Sequence, residues 1–162
     1  MEITEGSING VYEISLKPNF DNRGFFMRTY DDQLFEKLCL NKNWAQENHS
    51  STKKKGIIRG LHLQSHPFSE CKLVRCSRGA IFDVFVDLRK KSKSFGEWGG
   101  IELSAKNNKM IFIPRGFAHG FCTLVDNSEV VYKVDNFYSP ENEIGILWND
   151  IQIGINWPID NP

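Results

Sequence analysis

Two segments of the sequence carry histidines in surroundings where an imidazole could move protons. In Arg59–Gln64, His62 lies inside an otherwise strand-like run, and in Pro114–Phe121, His119 follows a Pro-x-Gly turn. A neutral imidazole has an ordinary pKa of about 6.5 and can therefore act as a general base near neutral pH. Each histidine could equally be a core imidazole that a backbone carbonyl satisfies. Neither histidine alone establishes a site.

Strands must position these side chains, because short β-rich runs recur between Gly, Pro, Asn and Asp. One helix is predicted at Asp32–Leu40, capped by Asp31 or Asp32 and carrying an apolar stripe at helical spacing. The predicted strands are Val11–Lys17, Gly24–Tyr30, Trp44–Ser50, Ile57–Leu63, Lys72–Arg78, Ala80–Leu88, Trp98–Leu103, Met110–Ile113, Gly120–Leu124 and Val130–Val134. This rhythm predicts one all-β domain, residues 1–162, built as a sandwich or barrel.

The alternation of residues within two strands suggests which side chains face a common interior. In Ile81–Leu88 the even-numbered residues are all apolar, whereas the odd-numbered ones include Asp83 and Asp87. Successive side chains point to opposite faces of a strand, so the mixed face suits solvent or the wet interior of a barrel. The same rule places Tyr132 on the face of Val130–Val134 that turns away from its charged neighbours.

Arg59 and His62 would lie on opposite faces of a regular strand, because their positions differ by three, an odd number. Gly60 stands between them. A glycine favours a β-bulge, which would shift the alternation by one residue and bring both side chains to one side. A bulge at Gly60 is therefore predicted.

Composition and charge exclude several functional classes. The 162 residues hold 20 Lys and Arg against 20 Asp and Glu, and 40% of them are hydrophobic. A neutral chain lacks the field that drives binding to nucleic acid or to anionic membranes. The amino terminus has no signal-peptide pattern, and no apolar run approaches the roughly 20 residues of a membrane span. The four cysteines form no CxxC pair, so reduced thiols in the cytoplasm are expected.

Several segments, taken together, identify a family resemblance. They are Asp21–Phe26, Gln46–Ser50, Arg59–His62, Lys72–Arg75, Gly79–Val84, Ile113–Phe121 and Tyr132–Lys133, followed by Tyr138–Glu143. In this combination they resemble the dTDP-4-dehydrorhamnose 3,5-epimerases and their relatives, from about residue 8 to residue 157. The resemblance implies a jelly-roll, cupin-type β-barrel with one or a few short helices. It also implies a homodimer, no metal or organic cofactor, and a role in surface polysaccharide biosynthesis.

The resemblance also implies roles for individual residues. The catalytic base of the family matches His62, and its catalytic acid matches Tyr132. Arg23 would reach the substrate from a swapped amino-terminal strand of the partner subunit. The candidate substrate-binding residues are Arg23, Arg28, Gln46, Asn48, Arg59, Lys72, His119, Tyr138 and Glu143.

The implied reaction, epimerisation of a nucleotide-linked 4-keto-6-deoxy sugar at C3 and C5, needs residues of these types. A proton beside a ketone is removed only if the developing enolate oxygen is stabilised, and Lys72 is the candidate for that task. Inversion then needs a donor on the opposite face, and a tyrosine hydroxyl such as that of Tyr132, with an ordinary pKa of about 10, can supply the proton. Arg23 and Arg59 suit the diphosphate. Taken singly, Lys72 and Arg23 could be surface residues, and Tyr132 a packing ring.

The sequence departs from the family pattern at two places. Arg28 stands where the family usually has glutamate, which predicts a nucleotide other than dTDP, with GDP the first to test. The alternative is that Arg28 faces solvent or pairs with Asp31. Family members also commonly continue into a tail whose aspartate pairs with the catalytic histidine, whereas this sequence ends at Pro162. Either the sequence is a trimmed piece of a longer chain, or another residue orients His62, with Asp83 as the first candidate.

Three other functions remain open at this point. One is C3-only or C3/C5 epimerisation of a GDP- or CDP-linked 4-keto sugar or heptose. Another is a metal-dependent cupin enzyme that would use His62, His66, Glu70 and His119, although the usual HxH pair is missing. The third is a binding protein for sugar nucleotides without turnover, against which the presence of both His62 and Tyr132 argues.

Overall fold

Strands account for most of the regular structure in the computed structural model, which describes residues 1–40, 43–160 and 162. The helical elements are α1 (Asp32–Lys37) and a 3₁₀ turn at Pro140–Asn142. The strands are β1 (Glu2–Glu5), β2 (Tyr12–Ser15), β3 (Asn19–Asp21), β4 (Gly24–Phe26), β5 (Gln46–Thr52), β6 (Ile58–Gln64), β7 (Lys72–Arg78), β8 (Ala80–Asp87), β9 (Trp98–Ser104), β10 (Lys109–Ile113), β11 (Phe117–Thr123), β12 (Ser128–Val134) and β13 (Glu143–Gly145).

Two antiparallel sheets enclose the main core. One sheet has the strand order β1-β2-β10-β7-β12-β5, and the other has the order β13-β6-β11-β8-β9. Strands of both sheets contribute to one apolar cluster, which includes Val74, Ile81, Phe85, Ile111, Phe121 and Val130. This arrangement confirms the predicted all-β, cupin-like jelly roll.

The outer faces of both sheets are covered, which fixes which face of each strand turns inward. Phe35 of α1 is fully buried against the six-stranded sheet, in a cluster with Leu73 and Phe112. Residues 146–157 pack over Val84 and Val86 on the outside of the five-stranded sheet. The apolar face of β8 is therefore the covered outer one, and its mixed face forms part of the barrel interior.

The predicted bulge at Gly60 is confirmed. In the β6–β11 ladder His62 lies opposite His119, and Arg59 lies opposite Phe121, so a step of three residues on β6 faces a step of two on β11. Gly60 has a φ of +107°, and a Cβ there would lie 2.6 Å from the carbonyl oxygen of His119. Only glycine lets the two strands approach this closely.

The structure corrects several predicted boundaries. The helix is capped by Asp31, as expected, but ends at Lys37 rather than Leu40, and Cys39 adopts a left-handed φ of 54°. The strand predicted at Gly24–Tyr30 stops at Phe26. Strands β1, β3 and β13 were not predicted, because they are three or four residues long, largely exposed and without a buried apolar face.

Cys39, Cys71, Cys76 and Cys122 are all free thiols, as the sequence predicted. Within the described residues, no helix has both the length and the apolar character needed to cross a membrane.

Candidate active site

A cavity of about 440 Å³ lies between the two sheets. It is close to the ends of β6 and β12 and the start of β7. A smaller cavity of about 150 Å³ shares His62 and Tyr132 with it. The larger one is lined by Gln46, Asn48, His62, Gln64, Glu70, Tyr132, Val134, Tyr138 and Glu143, and the smaller one by Ser50, Arg59, His62, His119, Phe121 and Tyr132. Eight of the residues predicted from sequence are thus gathered around one space.

His62 and Tyr132 reach this space from different sheets, since β6 belongs to the five-stranded sheet and β12 to the six-stranded one. Burial lowers the pKa of His62 to about 3, and the nearby charges of Lys72 and His119 act in the same direction. Burial also raises the pKa of Tyr132, with Glu70 adding to the effect. At neutral pH the imidazole is therefore free to accept a proton, and the phenol still carries one to donate.

Lys72 and Glu70 form an ion pair beside the cavity, with 3.3 Å between the ammonium nitrogen and a carboxylate oxygen. The side chain of Lys72 is only 3% exposed and that of Glu70 10%. Burial lowers the pKa of Lys72, opposed mainly by the charge of Glu70, and it raises the pKa of Glu70, opposed mainly by Lys72. Glu70 lines the cavity, and Lys72 contacts Glu70 from the first position of β7. From the sequence, Glu70 is a candidate only as a metal ligand.

Asp83 does not orient His62, so that prediction is corrected. Asp83 is completely buried on β8, and Nε2 of His119 lies 2.9 and 3.1 Å from its two carboxylate oxygens. In the β8–β11 ladder His119 faces Phe85, two residues from Asp83 and on the same inward side of the strand. The carboxylate therefore fixes the ring of His119. Among the described residues no side chain or backbone group is hydrogen-bonded to the ring of His62.

The mouth of the cavity is a connected polar network. The Tyr138 hydroxyl donates to Glu143 at 3.0 Å, and its backbone N–H donates to the side-chain oxygen of Gln46 at 3.0 Å. Arg59, an exposed residue that lines the smaller cavity, donates through Nε to the Thr52 hydroxyl at 2.9 Å. The contacts of Tyr138 with Gln46 and Glu143 hold polar groups in place at the exposed rim of the cavity.

Arg23 and Arg28 lie outside the cavity. The side chain of Arg23, in the turn of the β3–β4 hairpin, is 86% exposed and pairs with Asp21 at 2.6 Å. Arg28 pairs with Asp31 at 3.2 Å, which is the alternative weighed for it from the sequence. Within this one chain neither arginine reaches His62. The roles predicted for both in substrate binding remain predictions.

The metal-binding alternative finds no ligand cluster. Across residues 1–40, 43–160 and 162, no three His, Cys, Asp or Glu side chains come together in a way that could hold a metal ion. The four residues weighed as ligands, His62, His66, Glu70 and His119, are therefore not gathered into one set.

Known proteins resemble this chain over nearly its whole length. The sequence profile described as dTDP-4-dehydrorhamnose 3,5-epimerase matches residues 5–162. The dTDP-4-dehydrorhamnose 3,5-epimerase of Shigella flexneri is 48% identical over 100% of this chain and 90% of its own length. The crystal structure of the Bacillus anthracis enzyme with TDP and PPi bound is 42% identical, has a TM-score of 0.96, and is matched over 99% of this chain and 92% of that one.

A second solved structure comes from Legionella pneumophila. It is a dTDP-6-deoxy-D-glucose-3,5-epimerase in complex with dTDP-4-keto-L-rhamnose, 38% identical, with a TM-score of 0.93, and it is matched over 99% of this chain and 85% of that one. Both the sequence and the fold therefore match over nearly the whole length. This chain belongs to the dTDP-4-dehydrorhamnose 3,5-epimerase family and is an isomerase of the sugar-epimerase class.

Proposed function

We propose that this enzyme epimerises a dTDP-linked 4-keto-6-deoxy sugar at C3 and C5 by proton abstraction and re-addition through an enolate. The observation that supports this most strongly is that a neutral imidazole, His62, and a protonated phenol, Tyr132, project from two facing sheets into one cavity. One group on one face of a sugar ring can only exchange a proton. Two groups on opposed faces can invert the carbon.

His62 acts as the base and removes the proton on the carbon next to the ketone. Its pKa of about 3 keeps it unprotonated but makes it a weak base. The enolate must therefore be strongly stabilised, and the Lys72 ammonium supplies the positive charge. Tyr132 then delivers a proton to the other face of the carbon.

Inversion at C5 requires the ring to present its second C–H bond to the same base. The alternative function is therefore C3-only epimerisation, in which the ring does not turn.

The diphosphate is held by Arg59 together with Arg23 of a partner subunit. In this proposal the enzyme is a homodimer with a swapped amino-terminal strand. Support comes from the β3–β4 hairpin, which pairs with neither large sheet and exposes Phe20, Phe25 and Phe26 by 74%, 60% and 69%. Exposed aromatic rings on one short hairpin favour a contact surface.

For the nucleotide we favour dTDP over GDP or CDP. The relatives matched here are named for dTDP sugars, and one holds TDP. The ion pair of Arg28 with Asp31 accounts for an arginine at this position without a guanine partner. The free thiols fit a cytoplasmic setting, where such sugars would serve surface polysaccharide biosynthesis.

Proton exchange followed by NMR in D₂O tests the proposed function. The enzyme is incubated with dTDP-, GDP- and CDP-linked 4-keto-6-deoxy sugars, and deuterium is located by position. Deuterium at C3 and C5 of the dTDP sugar is expected, whereas label at C3 alone supports the alternative. The absence of exchange with every sugar would overturn the proposal in favour of a binding protein. Elemental analysis showing stoichiometric Fe, Mn, Ni or Zn would revive the metal-cupin alternative.

A further inference from the structure

The Lys72 ammonium occupies a place where a charge is hard to maintain. Its side chain is 3% exposed, and burial lowers its pKa. A buried ammonium without a counter-ion tends to lose its proton, because desolvation disfavours the charged form. A neutral amine would carry no positive charge to stabilise an enolate. A nearby negative charge is therefore needed to keep Lys72 protonated.

Three carboxylates act on Lys72, but they are placed differently. Asp83 on β8 directs both of its oxygens to Nε2 of His119, and Glu143 on β13 accepts from the Tyr138 hydroxyl. Asp83 and Glu143 are not in contact with Lys72, and their negative charges offset part of the fall in its pKa at longer range. Among the described residues, the carboxylate in ion-pair contact with the ammonium is Glu70, at 3.3 Å.

Glu70 is itself held in position by Gln64 at the end of β6. Nε2 of Gln64 donates to the second oxygen of Glu70 at 3.1 Å and also contacts the backbone carbonyls of Phe68 and Phe137. The side-chain oxygen of Gln64 accepts the backbone N–H of Ser139 at 2.6 Å. One amide thus ties the Glu70 carboxylate to the two loops that border the cavity.

The remaining ionisable groups near the pair act on it in opposite senses. His119 opposes the rise in the pKa of Glu70, whereas Asp135 adds to it. The charge of Lys72 in turn helps to keep His62 neutral. As a pair Glu70 and Lys72 carry no net charge, so burying them together is less unfavourable than burying the ammonium alone.

We propose that Glu70 is a positioning residue of the epimerisation: its carboxylate keeps Lys72 charged and fixed beside the cavity, and so equips it to stabilise the enolate. The inference rests on the proposed function for the enolate step, but the contact between the two side chains does not depend on it. Glu70 acts through Lys72 and touches no reacting atom.

The first experiment measures the charge of Lys72 without any turnover. Lysine labelled with ¹³C at Cε is incorporated into the wild type and Glu70→Gln, and the Lys72 resonance, assigned by its loss in Lys72→Met, is titrated. Removing an opposite charge at contact distance should lower the pKa of Lys72 by about 1–3 units. An unchanged pKa would overturn the proposal even if the enzyme epimerises as expected. A failure of the proposed function alone would leave this result intact.

The second experiment follows kcat for deuterium exchange against pH. In Glu70→Gln, the fall of kcat at alkaline pH should occur at a pH lower by the same 1–3 units. At a pH above the alkaline fall of both proteins, kcat of the variant should therefore be about ten- to thousandfold below that of the wild type. A uniform loss of kcat without movement of the alkaline fall would show a structural role and contradict the proposal, as would a profile identical to that of the wild type.

Two sets of variants keep the comparison controlled. Glu13→Gln makes the same substitution in an exposed Lys–Glu pair on β2, with 3.6 Å to Lys109, and should leave the profile unchanged. If Glu70→Gln does not fold, Glu70→Asp and Glu70→Asn are equally shortened and differ in charge. The aspartate variant should then retain the higher Lys72 pKa of the two, and equal values would overturn the proposal.

Discussion

Gly60→Ala tests whether the bulge in β6 places His62, the proposed catalytic base. A Cβ at position 60 would lie 2.6 Å from the His119 carbonyl oxygen and 2.7 Å from Cα of Gly120. Both neighbours are backbone atoms of β11, so no flexible side chain can move aside to relieve the contact. The φ of +107° is also unfavourable for any residue that carries a Cβ.

The expected loss of stability follows from these two contributions. A left-handed conformation costs about 1–2 kcal/mol for a non-glycine residue, and overpacking typically adds about 1–3 kcal/mol. We therefore expect the free energy of unfolding to fall by about 2–5 kcal/mol. In a domain of this size that corresponds to a Tm lower by roughly 4–20 °C. Displacement of His62 should also lower kcat for exchange by about tenfold or more.

Gly96→Ala is the matched control, because Gly96 also has a positive φ, +83°, but a Cβ there would meet nothing within 4 Å. It should show the conformational contribution alone. Urea unfolding and exchange kinetics are measured for both variants. If Gly60→Ala is no less stable than Gly96→Ala and exchanges deuterium at the wild-type rate, the bulge does not place His62.

Three further predictions concern pH, proton delivery and the nucleotide. In the folded protein the pKa of His62 is about 3, below its ordinary value of about 6.5. As the pH falls below about 6.5, His62 is therefore protonated in the unfolded chain but not in the folded one, which favours unfolding. The wild type should therefore lose about 2 kcal/mol more unfolding free energy than His62→Gln between pH 6.5 and 4.5, and a difference independent of pH would contradict this. Tyr132→Phe should retain exchange better than net inversion, and equal loss of both would assign Tyr132 to binding. Calorimetry should show that dTDP binds more tightly than GDP and that Arg28→Glu leaves both affinities unchanged. If instead GDP binds more tightly and Arg28→Glu abolishes that preference, the GDP prediction made from Arg28 in the sequence is correct.

The central strands could be predicted from sequence because their burial follows the two-residue alternation of a strand. β8 is the clearest case, since its two faces differ in polarity and the structure covers one and encloses the other. β1, β3 and β13 could not be found in this way, because strands that bury no apolar face leave no alternation to detect. The end of α1 was missed because Cys39, not a glycine, takes the left-handed conformation there.

The candidate site was predictable as a set of residues but not as a set of contacts. His62 and Tyr132 followed from the family resemblance, and Gly60 explained how Arg59 and His62 could share a side. The partner of Asp83 depends on the register between β8 and β11, which the sequence does not specify. The contact between Glu70 and Lys72 depends on the loop that leads into β7.

His62 is the proposed base of the reaction, and His62→Asn tests this role most directly. The variant keeps a polar side chain of similar shape but has no imidazole to accept the proton. Wild type and variant are incubated with the dTDP-linked 4-keto-6-deoxy sugar in D₂O, with circular dichroism confirming the fold of both. We expect deuterium at C3 with the wild type and none above background with His62→Asn. Incorporation by the folded variant at the wild-type rate would contradict the mechanism.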